Sequence, residues 1–298
     1  MKKLLSILCV FLAATCWGCL GLFLRNLQGR FGITPLEASF LRSFSAALMF
    51  LVMAACRGIR CLRVSPKRLP VLALSGFFGI TVTSVAYLIS MANASLSVAA
   101  TLMYTAPAIV AVASVILFRE RPAPAVWIAL ALALLGTVCS SGILGGAQAS
   151  VYGVLMGILS GVAYASYSIF GTYALRHNDA FCVTAWSFIF SAVGVLFFVN
   201  VPTLTGKLFA VQGKEALLMW GLILGMGFFS TFFAFLVYTV GLSGLGPSRA
   251  SLLASMEPAI AAFVGFLAFG EKPTLFTLLG MVLILSSVAI TSLHKKES

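Results

Sequence analysis

Ionic side chains are scarce in this sequence. Of its 298 residues, 19 are Lys or Arg and 7 are Asp or Glu. Charged residues therefore make up 9% of the chain, against about 25% in soluble globular domains. Hydrophobic residues account for 61%. This composition excludes an ordinary soluble domain and predicts a surface that faces lipid, so that the bilayer is the first expected partner.

The residues that build metal, redox and catalytic sites are also few. There are two histidines, His177 and His294, and the seven cysteines form no disulfide framework. Cys16-x-x-Cys19 has no second pair and no nearby His, and Gly241–Gly246 lacks the Lys-Ser/Thr of a nucleotide-phosphate loop. We therefore expect no metal, no cofactor and no direct use of ATP. An enzyme would need a cluster of catalytic groups that the sequence does not offer.

Long hydrophobic runs are what the chain has instead. Because a bilayer span needs about 20 mainly apolar residues, each such run predicts a transmembrane helix. The runs are continuous rather than alternating, which favours helices over strands. The first run continues past Cys16, beyond the apolar core of a signal peptide, so we expect it to be retained as a span. The ten predicted spans are 4–24, 36–56, 70–91, 96–118, 123–142, 151–175, 181–201, 216–241, 247–269 and 274–293.

The positions of Lys and Arg orient the predicted bundle. If the N-terminus is cytoplasmic, thirteen of these residues fall on the inner side and five on the outer side. This is the bias that membrane proteins show, so we predict a multi-pass protein of the bacterial inner (cytoplasmic) membrane with both termini cytoplasmic. The net charge of +12 reflects this topology. No basic stripe with interleaved aromatic residues occurs, and no nucleic-acid partner is expected.

An internal repeat divides the chain. Residues 76–122 align without a gap with residues 227–273, and 14 of the 47 paired positions are identical. Each copy contains five predicted spans, an odd number, so the second copy enters the membrane in the opposite direction. We predict an all-α membrane domain, 1–298, made of two inverted five-helix repeats, 1–148 and 149–298. This architecture supports alternating access to a site at the midplane.

Two charged residues, Glu257 and Arg42, lie more than one helical turn inside predicted spans, where such residues are costly and usually functional. Glu257 lies near the middle of the ninth span and Arg42 lies six residues into the second. The matching repeat positions carry Ala106 and, approximately, Ser187. We predict that Glu257 binds a cationic group or a coupling proton and that Arg42 binds a carboxylate. The alternative is a structural ion pair of Arg42 with Glu257 or with Glu37.

Prolines and aromatic residues complete the candidate site. Pro107 and Pro258 are repeat-equivalent, lie mid-span, and each frees the backbone carbonyl four residues earlier. We predict kinks that open a cavity and act as hinges; the alternative is that a neighbouring Ser or Thr, such as Thr105 or Ser255, satisfies each carbonyl. Arg249 is predicted to lie at the cytoplasmic entrance. The aromatic residues predicted to line the cavity, each of which packing alone also explains, are Trp17, Tyr87, Tyr104, Tyr164, Tyr167, Trp186 and Tyr238.

Seven short motifs follow one another along essentially the whole chain. They are Trp17-Gly18, Phe40-Leu41-Arg42, Tyr104-Thr-Ala-Pro107, Phe118-Arg-Glu120-Arg-Pro122, Ser248-Arg249-Ala250, Met256-Glu257-Pro258 and Phe269-Gly-Glu271-Lys-Pro273. In this order they resemble the EamA family of the drug/metabolite transporter superfamily. The resemblance implies ten helices, a central cavity between two inverted halves, and export of small metabolites, amino acids or drugs without nucleotide hydrolysis.

One acid and one base inside the spans, with aromatic residues nearby, suit a molecule that carries both charges. We therefore predict a secondary exporter of a small polar or amphipathic metabolite, with amino acids and related zwitterions as the leading class. Two alternatives remain. A flippase for lipid head groups would use Arg42 or Arg249 as its basic site, and a membrane subunit that does not itself transport is the more remote reading.

Overall fold

The computed structural model describes residues 2–94, 96–119, 122–140, 150–270 and 274–293. All regular structure in these ranges is helical, and they contain no strand. Seven helical segments are long and apolar enough to cross a bilayer, and an eighth is added if the bent pair Ala180–Leu196 and Val201–Ala210 is one span. Two shorter apolar helices, Pro124–Cys139 and Leu275–Thr291, accompany them. The protein is therefore an all-helical, multi-pass membrane protein.

Sixteen α-helices occur in the described ranges. They are α1 (Lys2–Gly18), α2 (Leu20–Phe31), α3 (Pro35–Arg57), α4 (Leu69–Ala73), α5 (Thr83–Asn93), α6 (Leu96–Met103), α7 (Ala106–Phe118), α8 (Pro124–Ser140), α9 (Val151–Leu175), α10 (Ala180–Leu196), α11 (Val201–Ala210), α12 (Gly213–Gly227), α13 (Ala234–Leu245), α14 (Pro247–Ala254), α15 (Glu257–Phe269) and α16 (Leu275–Leu293). Two π-helical stretches join α4 to α5 and α12 to α13, over Leu74–Val82 and Phe228–Phe233.

Some predicted features lie outside the described residues. These are the boundary between the two proposed halves at 148/149 and the residues Glu120, Arg121, Glu271, Lys272, Pro273, His294, Lys295 and Lys296.

The two copies of the sequence repeat have the same helix bounds. Residues 96–103 and 106–118 form α6 and α7, and α14 and α15 cover the positions 151 residues further on. The breaks are residues 104–105 and 255–256, and in both copies the next helix begins one residue before the aligned proline. A proline has no N–H for the next intrahelical bond, and its ring crowds the preceding turn, so each helix is interrupted at the same aligned point. The π-helical stretches also overlap in the alignment, and such irregular turns often mark functional regions.

The predicted span 181–201 is wrong at its end. Helix α10 ends at Leu196, and the chain bends by 99° into α11. Asn200 caps the start of α11: its side chain accepts a hydrogen bond from the Thr203 N–H. The helix then places Lys207 Nζ 2.8 Å from Glu37 Oε2 at the start of α3. Glu37 therefore pairs with Lys207, and the alternative in which Glu37 pairs with Arg42 is wrong.

Helix pairs build the bundle. Helix α1 packs along α13, and α5 packs along α9, while α3 packs against α10 and α8 packs against α16. In the repeat, α1 is equivalent to α9 and α13 is equivalent to α5, so the pair α1–α13 corresponds to the pair α9–α5. The pairs α3–α10 and α8–α16 each join two equivalent helices. This pattern is what an approximate two-fold relation between two halves produces.

Aromatic side chains fill one half of the bundle. We call this group the aromatic cluster: Trp17, Phe50, Tyr167, Phe181, Phe188, Phe232, Phe235 and Tyr238. Its ring centroids approach to 4.5 Å for Phe50 and Phe232 and to 4.9 Å for Phe188 and Phe235. Edge-to-face and tilted contacts of this kind add to the stabilisation from burial. The cluster closes the space between α1, α3, α9, α10 and α13.

Candidate functional site

A cavity of about 610 Å³ lies beside the aromatic cluster. Its volume falls in the range of about 300–1,000 Å³ found for small-molecule sites. The lining is mostly apolar and aromatic, with a small number of polar groups, as such sites require. The predicted site residues that line it are Trp17, Arg42, Tyr87, Tyr104, Tyr164, Glu257 and Pro258.

The cavity extends towards one end of the bundle. On α3, the lining residues Pro35, Ser39 and Arg42 follow one helical face from its first turn. Thr277 lies in the first turn of α16, and Thr137 lies near the end of α8. We call the end at which α3 and α16 begin the open end. Phe50 of the aromatic cluster lies fifteen residues after Pro35 on α3, so the cluster extends towards the opposite end, and it shares Trp17 and Phe235 with the cavity lining.

The guanidinium of Arg42 forms no salt bridge with any described residue. Its Nε is buried and makes no hydrogen bond, and no ion pair joins it to another described residue. The side chain is half-buried because it faces the cavity. It interacts electrostatically with Glu257 and with the Tyr164 hydroxyl without a salt bridge. A membrane protein thus holds a cationic fork with free donors inside a cavity, an arrangement that suits a carboxylate.

Glu257 is the first residue of α15. The break before Pro258 puts the carboxylate at a helix N-terminus, where the helix dipole favours negative charge. Its side chain interacts with the Tyr104 hydroxyl and is electrostatically coupled to Arg42. Tyr87 and Tyr164 also lie within electrostatic range of it. Three phenols therefore surround one carboxylate, an environment that suits a cationic group or a proton.

Trp17 lies where the cavity meets the aromatic cluster. Its ring contacts those of Phe235 and Tyr238, at centroid distances of 4.8 Å and 5.2 Å. The indole Nε1 is buried and has no hydrogen-bond partner in the described part of the chain. The next residue, Gly18, leaves no room for a Cβ beside Ile260 of α15. Close packing of α1 on α15 thus brings Trp17 near the helix that begins with Glu257.

Other predicted residues lie outside this cavity. Trp186 donates its indole N–H to the Leu62 carbonyl at 3.0 Å and packs on Phe190. Tyr167 belongs to the aromatic cluster and shares a 2.9 Å hydrogen bond with Thr239. The structure supplies a packing role for both, and their binding roles stay predictions.

Tyr238, Pro107 and Arg249 are also separate from the cavity lining. The Tyr238 hydroxyl shares a 2.7 Å hydrogen bond with Ser168 in the aromatic cluster. Pro107 borders a much smaller space of about 20 Å³, which Tyr164 also lines. Arg249 is half-buried on α14. The hinge role of Pro107 and the entrance role of Arg249 stay predictions.

The carbonyls that the prolines free are not taken by the neighbouring hydroxyls. Thr105 Oγ1 donates to the Leu102 carbonyl at 2.6 Å, and Ser255 Oγ donates to the Ser251 carbonyl at 3.3 Å. Both hydroxyls therefore bind carbonyls other than those of Met103 and Ala254. The alternative in which Thr105 and Ser255 satisfy the kinks is wrong.

Several polar lining residues were missed by sequence reasoning. They are Ser39, Thr83, Ser84, Thr137 and Thr277. Hydroxyl residues are common in membrane helices, where many bond their own backbone, as Thr83 and Thr137 do here to the carbonyls of Gly79 and Ala133. No sequence pattern separates those that also face a cavity.

Comparisons with known proteins identify a family and several relatives. The EamA-like transporter family matches residues 4–142 and again residues 151–293. An uncharacterized transporter of Archaeoglobus fulgidus is 29% identical over 282 residues, which are 94% of each chain. The uncharacterized inner membrane transporter YicL of Salmonella typhimurium is 26% identical over 292 residues, 97% of this chain and 95% of its own.

Two further similarities bear on activity and fold. The threonine/homoserine exporter RhtA of Escherichia coli K12 is 29% identical over 238 residues, 78% of this chain and 74% of its own. A protein of known crystal structure superposes with a TM-score of 0.77 and 21% identity, over 96% of this chain and 95% of that one. The second similarity shows a shared fold.

Proposed function

This chain belongs to the EamA-like transporter family, and on that premise we propose that it is a secondary active exporter of a small zwitterionic metabolite, with amino acids as the leading class. The family and its relatives are named as transporters rather than enzymes. The observation that carries the substrate class is the placement of Arg42 and Glu257. They face one cavity with opposite charge and form no ion pair with each other.

Unpaired charges inside a membrane protein are expensive, and they are retained where they bind something. A molecule with a carboxylate and an ammonium group supplies a partner to each side chain at once. A purely cationic ligand leaves Arg42 without a partner, and a purely anionic ligand adds repulsion from Glu257. The zwitterion is the class that satisfies both. A proton on Glu257 when the substrate is absent would couple transport to a proton gradient.

The proposed architecture explains how the cavity could open to one side of the membrane and then to the other. We infer ten spans in two inverted halves, 1–148 and 149–298, with both termini cytoplasmic in the inner membrane. The aligned breaks before Pro107 and Pro258, the two family matches and the exchanged helix pairs support this inference. Inverted halves permit two equivalent packings that open the same cavity to opposite sides. The paired breaks serve as hinges between them.

The names of relatives support the class and the location. RhtA is named a threonine/homoserine exporter, and YicL is named an inner membrane transporter. Both share more than two thirds of their length with this chain. Export of an amino acid across the inner membrane is consistent with both names.

Flux in proteoliposomes tests the proposal. Purified protein is reconstituted and efflux is measured for radiolabelled amino acids, for the corresponding decarboxylated amines and for a neutral sugar. We expect gradient-driven flux of one or more amino acids, and its loss in Glu257→Gln. Glu215→Gln is the matched control, because Glu215 is an exposed carboxylate in the first turn of α12.

Two results would count against the proposal. Unchanged amino-acid flux in Glu257→Gln removes this carboxylate from the mechanism. Transbilayer movement of fluorescent lipids, without flux of any water-soluble compound, favours the flippase instead.

A further inference from the structure

Two aromatic pairs occupy positions that the repeat makes equivalent, but the rings touch in one pair and not in the other. Trp17 and Tyr238 are in ring contact at 5.2 Å, on α1 and α13. Tyr164 and Tyr87 stand at the corresponding positions of α9 and α5, and both line the cavity. Within the described ranges these two rings make no contact with each other.

The correspondence rests on glycines that pack closely against the facing helix. A Cβ on Gly244 of α13 would overlap Ser6 of α1, and a Cβ on Gly153 of α9 would overlap Asn93 of α5. Ser6 precedes Gly153 by 147 residues, and Asn93 precedes Gly244 by 151. These contacts fix the two helix pairs in the same register.

A second pair of contacts repeats that register. Gly241 approaches Val10, and Gly157 approaches Ser90. The same offsets of 147 and 151 relate Val10 to Gly157 and Ser90 to Gly241. Applied to Trp17 and Tyr87, they give Tyr164 and Tyr238.

We propose that these pairs are the two gates of the transport cycle. Trp17 and Tyr238 are the closed gate on the side of the aromatic cluster, and Tyr87 and Tyr164 are the open gate on the side of the open end. This assignment rests on the alternating access proposed above. When the halves exchange their packing, Tyr87 and Tyr164 come into ring contact above the substrate while Trp17 and Tyr238 separate.

The position of the open gate links it to binding. Tyr87 and Tyr164 lie within electrostatic range of Glu257, and Tyr164 also interacts with Arg42. A substrate on these two charged groups therefore lies directly beside the rings that must close over it. One aromatic contact is exchanged for another in the cycle, so the two states stay close in free energy.

Thiol labelling of the cavity tests the gates without using transport. Ser39→Cys is introduced into a chain whose seven native cysteines are replaced. A membrane-impermeant thiol reagent is applied to right-side-out and to inside-out vesicles, without substrate. The side from which Cys at position 39 reacts defines the open end, whatever the topology.

Removal of the closed gate should lower labelling from the open end. We expect Trp17→Ala or Tyr238→Ala to lower the ratio of labelling from the open end to labelling from the opposite side roughly two- to tenfold, the shift in equilibrium constant expected from losing one aromatic contact. Adding Tyr164→Ala to Trp17→Ala should restore this ratio to within about twofold, since both gates are then weakened. Trp17→Phe and Tyr164→Phe keep a ring and should change little. Tyr152→Ala is the control, because Tyr152 is exposed on α9.

Opposite effects of the two pairs support the gates, and a change of the same sign for both, or no change, overturns them. Rings that only contact substrate do not alter labelling in its absence. If labelling follows the gates but no amino acid is transported, the gates stand and the substrate proposal fails.

Discussion

Replacing Arg42 by glutamine separates a binding role from a structural one. In a structural ion pair, removing one partner from a buried position destabilises a protein by about 3–5 kcal/mol. Arg42 forms no such pair in the described structure, and its buried Nε has no acceptor. Among the described residues, the variant therefore breaks no side-chain hydrogen bond or salt bridge. We expect its apparent Tm to equal or exceed that of the parent chain.

Binding should respond in the opposite direction. A hydrogen bond to a charged group contributes about 1.5–3 kcal/mol. At about 1.4 kcal/mol per factor of ten, the loss of this contact to a substrate carboxylate weakens binding roughly 10- to 150-fold. Decarboxylated amines lack the group that Arg42 contacts. Their affinity should therefore change by less than about threefold, well below one such hydrogen bond.

Both quantities can be read from one purified sample. Thermal unfolding without ligand gives the apparent Tm, and ligand-dependent shifts give the affinity. Lys207→Gln is the control with a real ion pair: its Nζ lies 2.8 Å from Glu37 Oε2 and 2.9 Å from the Gly32 carbonyl oxygen. Lys207 does not line the cavity, so this variant should have a lower apparent Tm and an unchanged affinity for amino acids.

Two outcomes would refute the reasoning on Arg42. A large fall in the Tm of Arg42→Gln, with amino-acid affinity intact, would assign the residue to the fold. Equal weakening of amino acids and their amines would show that the guanidinium does not contact the carboxylate.

Two further predictions concern stability. Gly76→Ala should lower the free energy of unfolding by about 1–3 kcal/mol, and with it the apparent Tm, because its Cβ would overlap the Ser187 carbonyl oxygen. Gly221→Ala adds a methyl with nothing within 4 Å and should leave the Tm unchanged, so equal Tm values in the two variants would contradict the close packing at Gly76. Tyr167→Phe should lower the free energy of unfolding by about 1 kcal/mol, because it breaks the buried hydrogen bond to Thr239. Denaturant unfolding measures this difference, and a variant as stable as the parent would show that the bond contributes nothing to stability.

Much of the helical organisation was readable in advance because lipid imposes simple rules. A backbone in hydrocarbon must satisfy its own hydrogen bonds, so apolar runs become helices. The breaks before Pro107 and Pro258 followed from the missing N–H of proline. The bend after Leu196 was not predicted, because the apolar run continues through it while the Asn200 cap starts a new helix in another direction.

The candidate site was readable only as a set of residue types. Arg42 and Glu257 stood out because charge is rare in a span, and both line the cavity. Trp186 and Tyr238 have the same residue chemistry as the lining aromatics, yet they pack elsewhere. An aromatic side chain in a membrane helix can equally well pack in the core or contact a ligand. Which of these it does depends on the direction in which the side chain points.

The sequence by itself determined the solvent, the helices, the repeat and the two charges, since each follows from local composition or from self-similarity along the chain. Only the tertiary structure decided that Glu37 pairs with Lys207 and leaves Arg42 free, because a side chain's partner depends on which distant helix packs beside it. It also decided that Trp17 and Tyr238 are in contact while Tyr87 and Tyr164 line a cavity. The two pairs are nearly alike in sequence, and only the packing of the helices around them makes them different.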